Sequence, residues 1–281
     1  MEVITDQKSL ALALKPFREA KQAIGLVPTM GALHAGHLSL VARAMAENKV
    51  VVVSIFVNPT QFNSQEDLDN YPESLLADCA LLETMGQQVI VFAPGKKEMY
   101  PEGLTPKNFN FNGLDLLWEG ADRPGHFNGV GTVVEKLFTA VPANRAYFGE
   151  KDFQQLAAIR QLVALHQWPI EIIGCAIVRE PHGLAMSSRN ERLSPENRKA
   201  AAVIFKALTE AAKNFKNTSL NELKNEAITA LEKTPGLSVF YFEAVQASTL
   251  LPINNTKSHE NARLICAVSL QGVRLIDNMA L

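Results

Sequence analysis

Residues 23–37 read AIGLVPTMGALHAGH, an apolar run that leads through a glycine-containing turn into two closely spaced histidines. We predict a β-strand over Ala23–Pro28 and an α-helix over Gly36–Asn48, because apolar residues recur in the second segment at helical spacing. In open α/β sheets the ligand binds outside the carboxyl ends of the strands, where such a turn lies. This segment therefore predicts both a fold class and the place of a site within it.

Strand and helix patterns alternate around this segment through the first 175 residues. Continuous apolar runs predict strands over Val50–Val57, Gln88–Ala93, Ala146–Phe148 and Glu171–Val178. Helical spacing predicts helices over Ser74–Met85, Thr132–Ala140 and Phe153–His166. This alternation predicts an α/β fold, a Rossmann-like and mostly parallel sheet with helices on both faces.

The pattern changes after Arg179, where two long amphipathic helices are followed by a run of strands. The helices are predicted over Pro195–Lys216 and Leu220–Lys233, and the strands over Val239–Val245, Arg263–Ser269 and Val273–Asn278. We therefore predict a Rossmann-like domain over residues 1–178 and a smaller α+β C-terminal domain over residues 179–281. The second domain carries the segment MSSRN, residues 186–190.

The composition excludes several classes of protein. With 281 residues, 47% hydrophobic and 20% charged, the chain is long enough for a large core and is not of the disordered type. A formal net charge of −2 gives no basic face for nucleic acid. No apolar run approaches the roughly 20 residues that cross a bilayer, and the N-terminus lacks the layout of a signal peptide. The three cysteines show no CxxC spacing, as expected of a cytoplasmic protein without disulfides.

The HAGH segment, residues 34–37, is the first candidate for chemistry. His34 and His37 are three residues apart, so one helical turn presents both imidazoles in the same direction, where they can donate to phosphate oxygens at a helix N-terminus. Two other interpretations stay open: a histidine that merely caps the helix or lies on the surface, and an HxxH zinc site. Zinc would need further ligands at suitable spacing. The GxGxxG and P-loop patterns are absent.

HAGH resembles the HxGH signature of the nucleotidylyltransferase superfamily, which includes the class I aminoacyl-tRNA synthetases. The segment MSSRN resembles the second element of that superfamily, a KMSKS-like loop, and it follows the last strand of the first predicted domain. The resemblance implies a mobile loop here, and two hydroxyls and the guanidinium of Arg189 suit a mobile clamp on the β- and γ-phosphates. On its own, the segment would equally suit a serine-rich loop that caps a helix.

Further segments narrow the resemblance to the pantothenate synthetase family, the AMP-forming pantoate–β-alanine ligases. They are SIFVNPTQF at residues 54–62, RPGHFNGV at 123–130, YFGEKDFQQ at 147–155 and REPHGLAMSSRN at 179–190. Together with TMGALHAGH they occur in the family's order and cover most of the first predicted domain. The C-terminal domain agrees with the family in length and layout but adds no comparably specific motif.

The resemblance implies an ATP site with His34, His37 and Lys151 as catalytic residues. Its other ATP-binding residues would be Met30, Gly31, Ala32, Leu33, Ala35, Gly36, Gly149, Glu150, Asp152, Val178, Met186, Ser187, Ser188 and Arg189. Lys151 would neutralise charge on the α-phosphate, although a lysine at a helix start is more often simply exposed to solvent.

Gln61 and Gln155 are the implied substrate-binding residues for pantoate and β-alanine, because a carboxamide both donates and accepts hydrogen bonds. Either amide would otherwise satisfy backbone groups in a loop. Asp78 matches an acidic residue near the family's magnesium, and the alternative is a carboxylate on a helix surface. Three positions depart from the family pattern: Ala77, where a second acid is frequent, Asn128, where arginine is usual, and His182, where an acid is common.

The implied function is condensation of (R)-pantoate with β-alanine to pantothenate, in the pathway to coenzyme A. ATP and Mg²⁺ would be required, a pantoyl-adenylate would be the intermediate, and AMP and pyrophosphate would be released. The resemblance also implies a homodimer, with no nucleic-acid or membrane partner. One alternative is another HxGH-type nucleotidylyltransferase. The other is a non-enzymatic ATP-binding module, but such a module would have no use for Gln61 and Gln155.

Overall fold

The structure is a computed structural model that describes residues 2–256 and 261–281. The chain divides into two compact units, Met1–Glu150 with Gln155–Ala176, and Lys151–Gln154 with Ile177–Leu281. The predicted domain boundary after residue 178 stays a prediction. No helix in the two described ranges is both long and apolar enough to cross a membrane.

The first unit contains a six-stranded sheet with the strand order β1-β4-β3-β2-β5-β6, in which each pair of neighbouring strands is parallel. The strands are β1 (Glu2–Ile4), β2 (Ile24–Thr29), β3 (Val50–Ile55), β4 (Val89–Phe92), β5 (Arg145–Gly149) and β6 (Glu171–Cys175). The helices are α1 (Gln7–Glu19), α2 (Ala35–Glu47), α3 (Gln65–Asp69), α4 (Leu75–Glu83), α5 (Lys96–Met99), α6 (Trp118–Asp122), α7 (His126–Ala140) and α8 (Phe153–His166). The first two residues of α8 belong to the second unit.

Alternate residues of the central strands enter two different hydrophobic clusters, which places a core on each face of the sheet. Leu26 and Val52 pack in a cluster with α1, α7 and α8, whereas Val27, Val51 and Val53 pack in a second cluster with α2 and α4. The predicted α/β architecture with helices on both faces is therefore confirmed.

The second unit contains a three-stranded antiparallel sheet in the order β7-β8-β9. Its elements are the helices α9 (Pro195–Ala200), α10 (Val203–Asn214) and α11 (Leu220–Glu232), and the strands β7 (Leu237–Gln246), β8 (Ala262–Leu270) and β9 (Val273–Ala280). Helices α10 and α11 share one hydrophobic cluster with the sheet, through residues such as Leu208, Leu231 and Phe242. This is the predicted smaller α+β arrangement.

Two predicted elements between residues 171 and 216 differ from the structure. The expected single helix over Pro195–Lys216 is two helices, because the backbone tightens at their junction: Ala202 N–H donates to Lys199 and Ile204 N–H donates to Ala201, both three residues back. Strand β6 ends at Cys175 rather than Val178, because the chain there leaves the sheet and the Val178 carbonyl accepts a hydrogen bond from Met186 N–H.

Helix α7 begins at His126, well before the predicted Thr132. Proline and glycines in residues 123–131 argue against a helix, but here the glycines allow close packing. A Cβ added to Gly129 would lie 2.2 Å from the Thr60 carbonyl oxygen. The missing side chain therefore lets α7 contact the short 3₁₀ helix Pro59–Gln61, which carries a candidate substrate residue.

Candidate active site

Three of the sequence motifs follow three neighbouring strands of the first unit. The HAGH turn follows β2, and the segment with Gln61 follows β3. Gly149 is the last residue of β5, and Glu150 comes directly after it. Because these strands are parallel, their carboxyl ends meet at one edge of the sheet. Strand order also reverses beside β2, with β3, β4 and β1 on one side and β5 and β6 on the other. Ligands of open α/β sheets bind at this kind of switch point.

The two histidines of HAGH cap helix α2 through their Nδ1 atoms. His34 is the N-cap residue, and its Nδ1 accepts a hydrogen bond from Gly36 N–H at 3.1 Å. Nδ1 of His37 accepts from His34 N–H at 3.3 Å, and the ring centroids lie 4.1 Å apart. A ring nitrogen that accepts carries no hydrogen, so the neutral imidazoles hold theirs on Nε2. The capping interpretation is therefore correct for Nδ1 and is compatible with phosphate binding through Nε2.

The structure does not support the zinc interpretation of HAGH. Among residues 2–256 and 261–281, no group of three or more His, Cys, Asp or Glu side chains is arranged to hold a metal ion. All three cysteines lie in this part of the chain and are free thiols, with Cys175 and Cys266 buried.

The turn from Met30 to Leu33 is held by a carboxylate from helix α4. Oδ1 of Asp78 accepts a hydrogen bond from Leu33 N–H at 2.7 Å, and Oδ2 accepts from Ala32 N–H at 3.0 Å. Asp78 is only 2% exposed, so the alternative of a carboxylate on the helix surface is wrong. Gly31 and Ala32 both have positive φ, +82° and +49°, which is the left-handed region.

Gln61 lies at the end of the 3₁₀ helix after β3. It contacts Met30 of the predicted ATP site and two residues without a predicted role, Asn58 and His126. Its Oε1 accepts from Asn58 Nδ2 at 3.1 Å, and its Nε2 lies 3.1 Å from Met30 Sδ. Its carbonyl accepts from His126 Nδ1 at 2.7 Å. Asn58 in turn is bonded to Tyr100 Oη. Asn58 and His126 both lie within the motifs quoted above, but the sequence does not show that they contact Gln61. Asn58 is three residues away in a segment without regular spacing, and His126 is more than sixty residues away.

Gln155 lies in the first turn of α8 and is half-buried. Lys151 precedes it in the 3₁₀ helix Glu150–Asp152 that follows β5. The Lys151 side chain is 19% exposed, its Nζ lies 3.6 Å from Asp152 Oδ2, and its carbonyl accepts from Asn278 Nδ2 at 3.0 Å. The lysine is therefore mostly covered rather than a solvated surface group.

In the second unit, the segment Met186–Arg189 follows a tight turn. Met186 N–H donates to the Val178 carbonyl at 3.0 Å, and Arg179 and Ala185 form an isolated β-bridge. Oγ of Ser187 accepts from Arg189 N–H at 3.3 Å and caps the 3₁₀ helix Ser188–Arg192. The capping interpretation of this segment is thus correct for Ser187.

Asn190 anchors the end of this segment. It is 1% exposed, and its Nδ2 donates to Glu180 Oε1 at 2.9 Å and to the Ala185 carbonyl at 3.0 Å. Both oxygens of Glu180 also accept from Arg198 Nε at 2.9 Å. Burial alone would raise the pKa of Glu180, but the hydrogen bonds from Arg198 and Asn190 outweigh it and lower that pKa below the usual 4.5. The predicted mobility of MSSRN stays a prediction.

Two of the departures from the family pattern have local structural roles. His182 Nε2 lies 3.1 Å from Glu180 Oε2, beside the anchor of the 186–190 segment. Asn128 Oδ1 accepts from Phe109 N–H at 3.0 Å and so ties the chain before α6 to helix α7.

Comparison with known proteins gives a consistent result over the whole chain. The sequence profile of the pantoate–β-alanine ligase family matches residues 2–280. A pantothenate synthetase of Christiangramia forsetii is 46% identical over 100% of this chain and 99% of its own length, and one of Bacteroides fragilis is 50% identical over 99% and 98%.

Solved structures agree. A crystal structure of pantothenate synthetase from Thermus thermophilus has a TM-score of 0.92 and 44% identity, with 99% of each chain covered. A pantoate–β-alanine ligase from Francisella tularensis, complexed with β-γ ATP and β-alanine, has a TM-score of 0.81 and 36% identity, covering 100% of this chain and 97% of that one. The fold, the motifs along the strand ends and these comparisons together show that the chain belongs to the pantoate–β-alanine ligase family.

Proposed function

We propose that this ligase joins (R)-pantoate to β-alanine in two half-reactions, with a pantoyl-adenylate between them. In the first, the pantoate carboxylate attacks the α-phosphorus of ATP and pyrophosphate leaves. In the second, the amine of β-alanine attacks the acyl carbon of the adenylate, AMP leaves, and pantothenate is formed. Neither step requires a nucleophile from the protein, because alignment and electrostatics supply much of the rate.

The observation that carries the proposal is the arrangement of the two imidazoles at the switch point of the sheet. His34 and His37 accept backbone N–H groups at Nδ1, which places the N–H donor of each neutral ring on Nε2, an atom suited to phosphate oxygens. The same helix start offers the partial positive charge of α2. This combination suits the negative charge that grows on pyrophosphate as it departs.

The remaining ATP contacts follow from the family motifs. We assign the turn Met30–His37, residues 149–152 and Val178 to the nucleotide, with Lys151 on the α-phosphate. Residues 186–189 supply two hydroxyls and the Arg189 guanidinium for the β- and γ-phosphates.

Gln61 and Gln155 are assigned to pantoate. The contact from Asn58 occupies the side-chain oxygen Oε1 of Gln61, and one N–H of Nε2 is directed at Met30 Sδ. The second N–H of Nε2 is the donor that the side chain offers to pantoate. Donors suit the carboxylate and hydroxyl oxygens of pantoate. In the second half-reaction the attacking amine must be neutral, because an ammonium group has no lone pair.

Magnesium as the companion of ATP is proposed from the resemblance, and when bound to the phosphates it would neutralise part of their charge. The residues around Asp78 do not fit a preformed magnesium site. Both of its carboxylate oxygens accept backbone N–H groups, and Ala77 stands where the family often has a second acid. No step is therefore assigned to a metal held by the protein.

A cytoplasmic location and a homodimeric state are also proposed. The free thiols at residues 79, 175 and 266 suit a reducing compartment, and the dimer is implied by the resemblance alone.

The test is exchange of labelled pyrophosphate into ATP, with Mg²⁺ present and β-alanine absent. Exchange that depends on pantoate would support reversible formation of the adenylate. A folded protein that binds ATP but gives no exchange would contradict the adenylate route and would favour another type of nucleotidyl transfer.

A further inference from the structure

A buried carboxylate of helix α4 fixes the turn that leads into HAGH. Asp78 is separated from this turn by more than forty residues of chain, yet its two oxygens accept from consecutive backbone N–H groups, those of Ala32 and Leu33. Hydrogen bonds to a charged acceptor contribute about twice as much as neutral ones. The carboxylate is therefore a strong local constraint on the backbone of the turn.

The conformation of the turn is one that needs such a constraint. Gly31 and Ala32 are consecutive residues with positive φ, and Ala32 is not glycine, so its left-handed conformation is costly. Residues in such turns direct successive N–H groups to one side and form a small anion-binding concavity. Here the anion in the concavity is the side chain of Asp78.

The packing at Gly31 is consistent with this role. A Cβ added to Gly31 would lie 2.9 Å from Asp78 Oδ2 and 3.1 Å from Ile55 Cγ2. The turn thus lies directly against the carboxylate, with no room for a larger residue. Immediately after the turn, His34 becomes the N-cap of α2 and His37 follows in its first turn.

We propose that Asp78 is a positioning residue of the ATP site rather than a magnesium ligand: it holds the turn 31–33 so that α2 starts at His34 with both imidazoles in place. The proposal rests on the assignment of HAGH to phosphate binding. It differs from the magnesium role that the family resemblance implies for the same residue, and the difference can be measured.

The experiment compares the wild-type protein with Asp78→Asn, which keeps the shape of the side chain. The carboxamide nitrogen of the variant then faces one of the two backbone N–H groups and cannot accept from it. The negative charge of the side chain is lost as well. Binding of ATP is measured by calorimetry, once in excess EDTA and once in Mg²⁺. The temperature is kept well below the melting temperature of each protein. We expect the Kd to rise roughly tenfold in both conditions, since one charge-assisted hydrogen bond is lost from the support of the phosphate site.

Asp69→Asn is the matched control, because Asp69 lies exposed on α3 and undergoes the same chemical change. A Kd for Asp78→Asn that equals the wild-type value in EDTA and rises only in Mg²⁺ would overturn the proposal in favour of a metal ligand. An unchanged Kd in both conditions, with only a lower melting temperature, would also overturn it and leave Asp78 a purely structural residue.

A second measurement does not depend on the variant or on activity. In the wild-type protein, hydrogen exchange at the amides of Ala32 and Leu33 is followed by NMR without and with Mg²⁺. Slow exchange at both amides in both conditions is expected, whereas release of either amide by Mg²⁺ would contradict the proposal. Failure of the wild-type protein to bind ATP would contradict the proposed function instead, while the exchange data still decide what Asp78 holds.

Discussion

Asn58 donates a hydrogen bond from Nδ2 to Oε1 of Gln61 at 3.1 Å, and this contact determines which half of the Gln61 carboxamide is offered to a ligand. Asn58 is 1% exposed, and its own Oδ1 accepts from Tyr100 Oη at 2.7 Å and from Thr60 Oγ1 at 3.0 Å. Two hydroxyl donors on one side fix Oδ1 there and turn Nδ2 toward Gln61. Oε1 of Gln61 is thereby occupied, and Nε2, which directs one N–H at Met30 Sδ, presents its second N–H to a ligand.

Tyr100→Phe is therefore expected to raise the KM for pantoate on the order of fivefold, with a smaller change in kcat and in the KM for ATP. Burial raises the pKa of Tyr100 above its usual 10.0, so its hydroxyl is a donor throughout the assay range. The loss of one of two donors weakens the orientation of Asn58, and one neutral hydrogen bond is worth about 1 kcal/mol. Steady-state kinetics with pantoate as the varied substrate measures this.

Tyr241→Phe, on strand β7 of the second unit, is the control for this prediction. It removes a hydroxyl without changing the contacts of Asn58, and its KM for pantoate should match that of the wild type. Equal KM values for Tyr100→Phe and the wild type would remove Tyr100 from the positioning of Gln61.

The histidine motif shows what a sequence can predict. The strand, the turn and the helix predicted around residues 23–48 were confirmed. They could be predicted because apolar spacing and glycines determine the local backbone within a few residues. The capping geometry of His34 and His37 is equally local, with partners two and three residues away.

Contacts between distant segments could not be predicted in this way. Asp78 holds the backbone of Ala32 and Leu33, and His126 bonds the carbonyl of Gln61 across more than sixty residues. No periodicity reports such pairs, because they depend on how α4 and α7 pack on the sheet. The start of α7 was missed for the same reason, since Gly129 favours the helix only through its close approach to Thr60.

His34→Asn separates the two roles of His34. Asparagine is among the best N-cap residues, so this variant should keep the free energy of unfolding near the wild-type value, whereas His34→Ala should lose about 1 kcal/mol. Both variants lose the imidazole donor on Nε2, and both should slow pantoate-dependent pyrophosphate exchange roughly a hundredfold. Chemical denaturation and the exchange assay measure the two effects. Normal exchange in His34→Asn would show that the histidine is only a cap.

Lys151→Ala should slow adenylate formation roughly 100- to 1,000-fold while leaving the fold intact. The turn that carries this lysine is fixed through its main chain, because the carbonyl of Lys151 accepts from Asn278 Nδ2 at 3.0 Å, and truncation of the side chain does not touch that bond. Single-turnover formation of the adenylate measures the effect, with Lys233→Ala as an exposed lysine control. Normal single-turnover adenylation in Lys151→Ala would exclude the lysine from the mechanism.

Glu180→Gln should change how the stability of the second unit depends on pH. The hydrogen bonds from Arg198 and Asn190 lower the pKa of Glu180 below its usual 4.5 despite its burial, so the unfolded chain takes up the proton first as pH falls. The stabilisation is complete above about pH 5 to 6, and it is lost as pH falls through 4.5 and below. Melting temperatures between about pH 3 and pH 7 should therefore rise less steeply with pH in Glu180→Gln than in the wild type. The control is Glu226→Gln, which changes an exposed carboxylate on α11 and should keep the wild-type slope of melting temperature against pH. If Glu180→Gln also keeps that slope, Glu180 does not anchor the 186–190 segment through its charge.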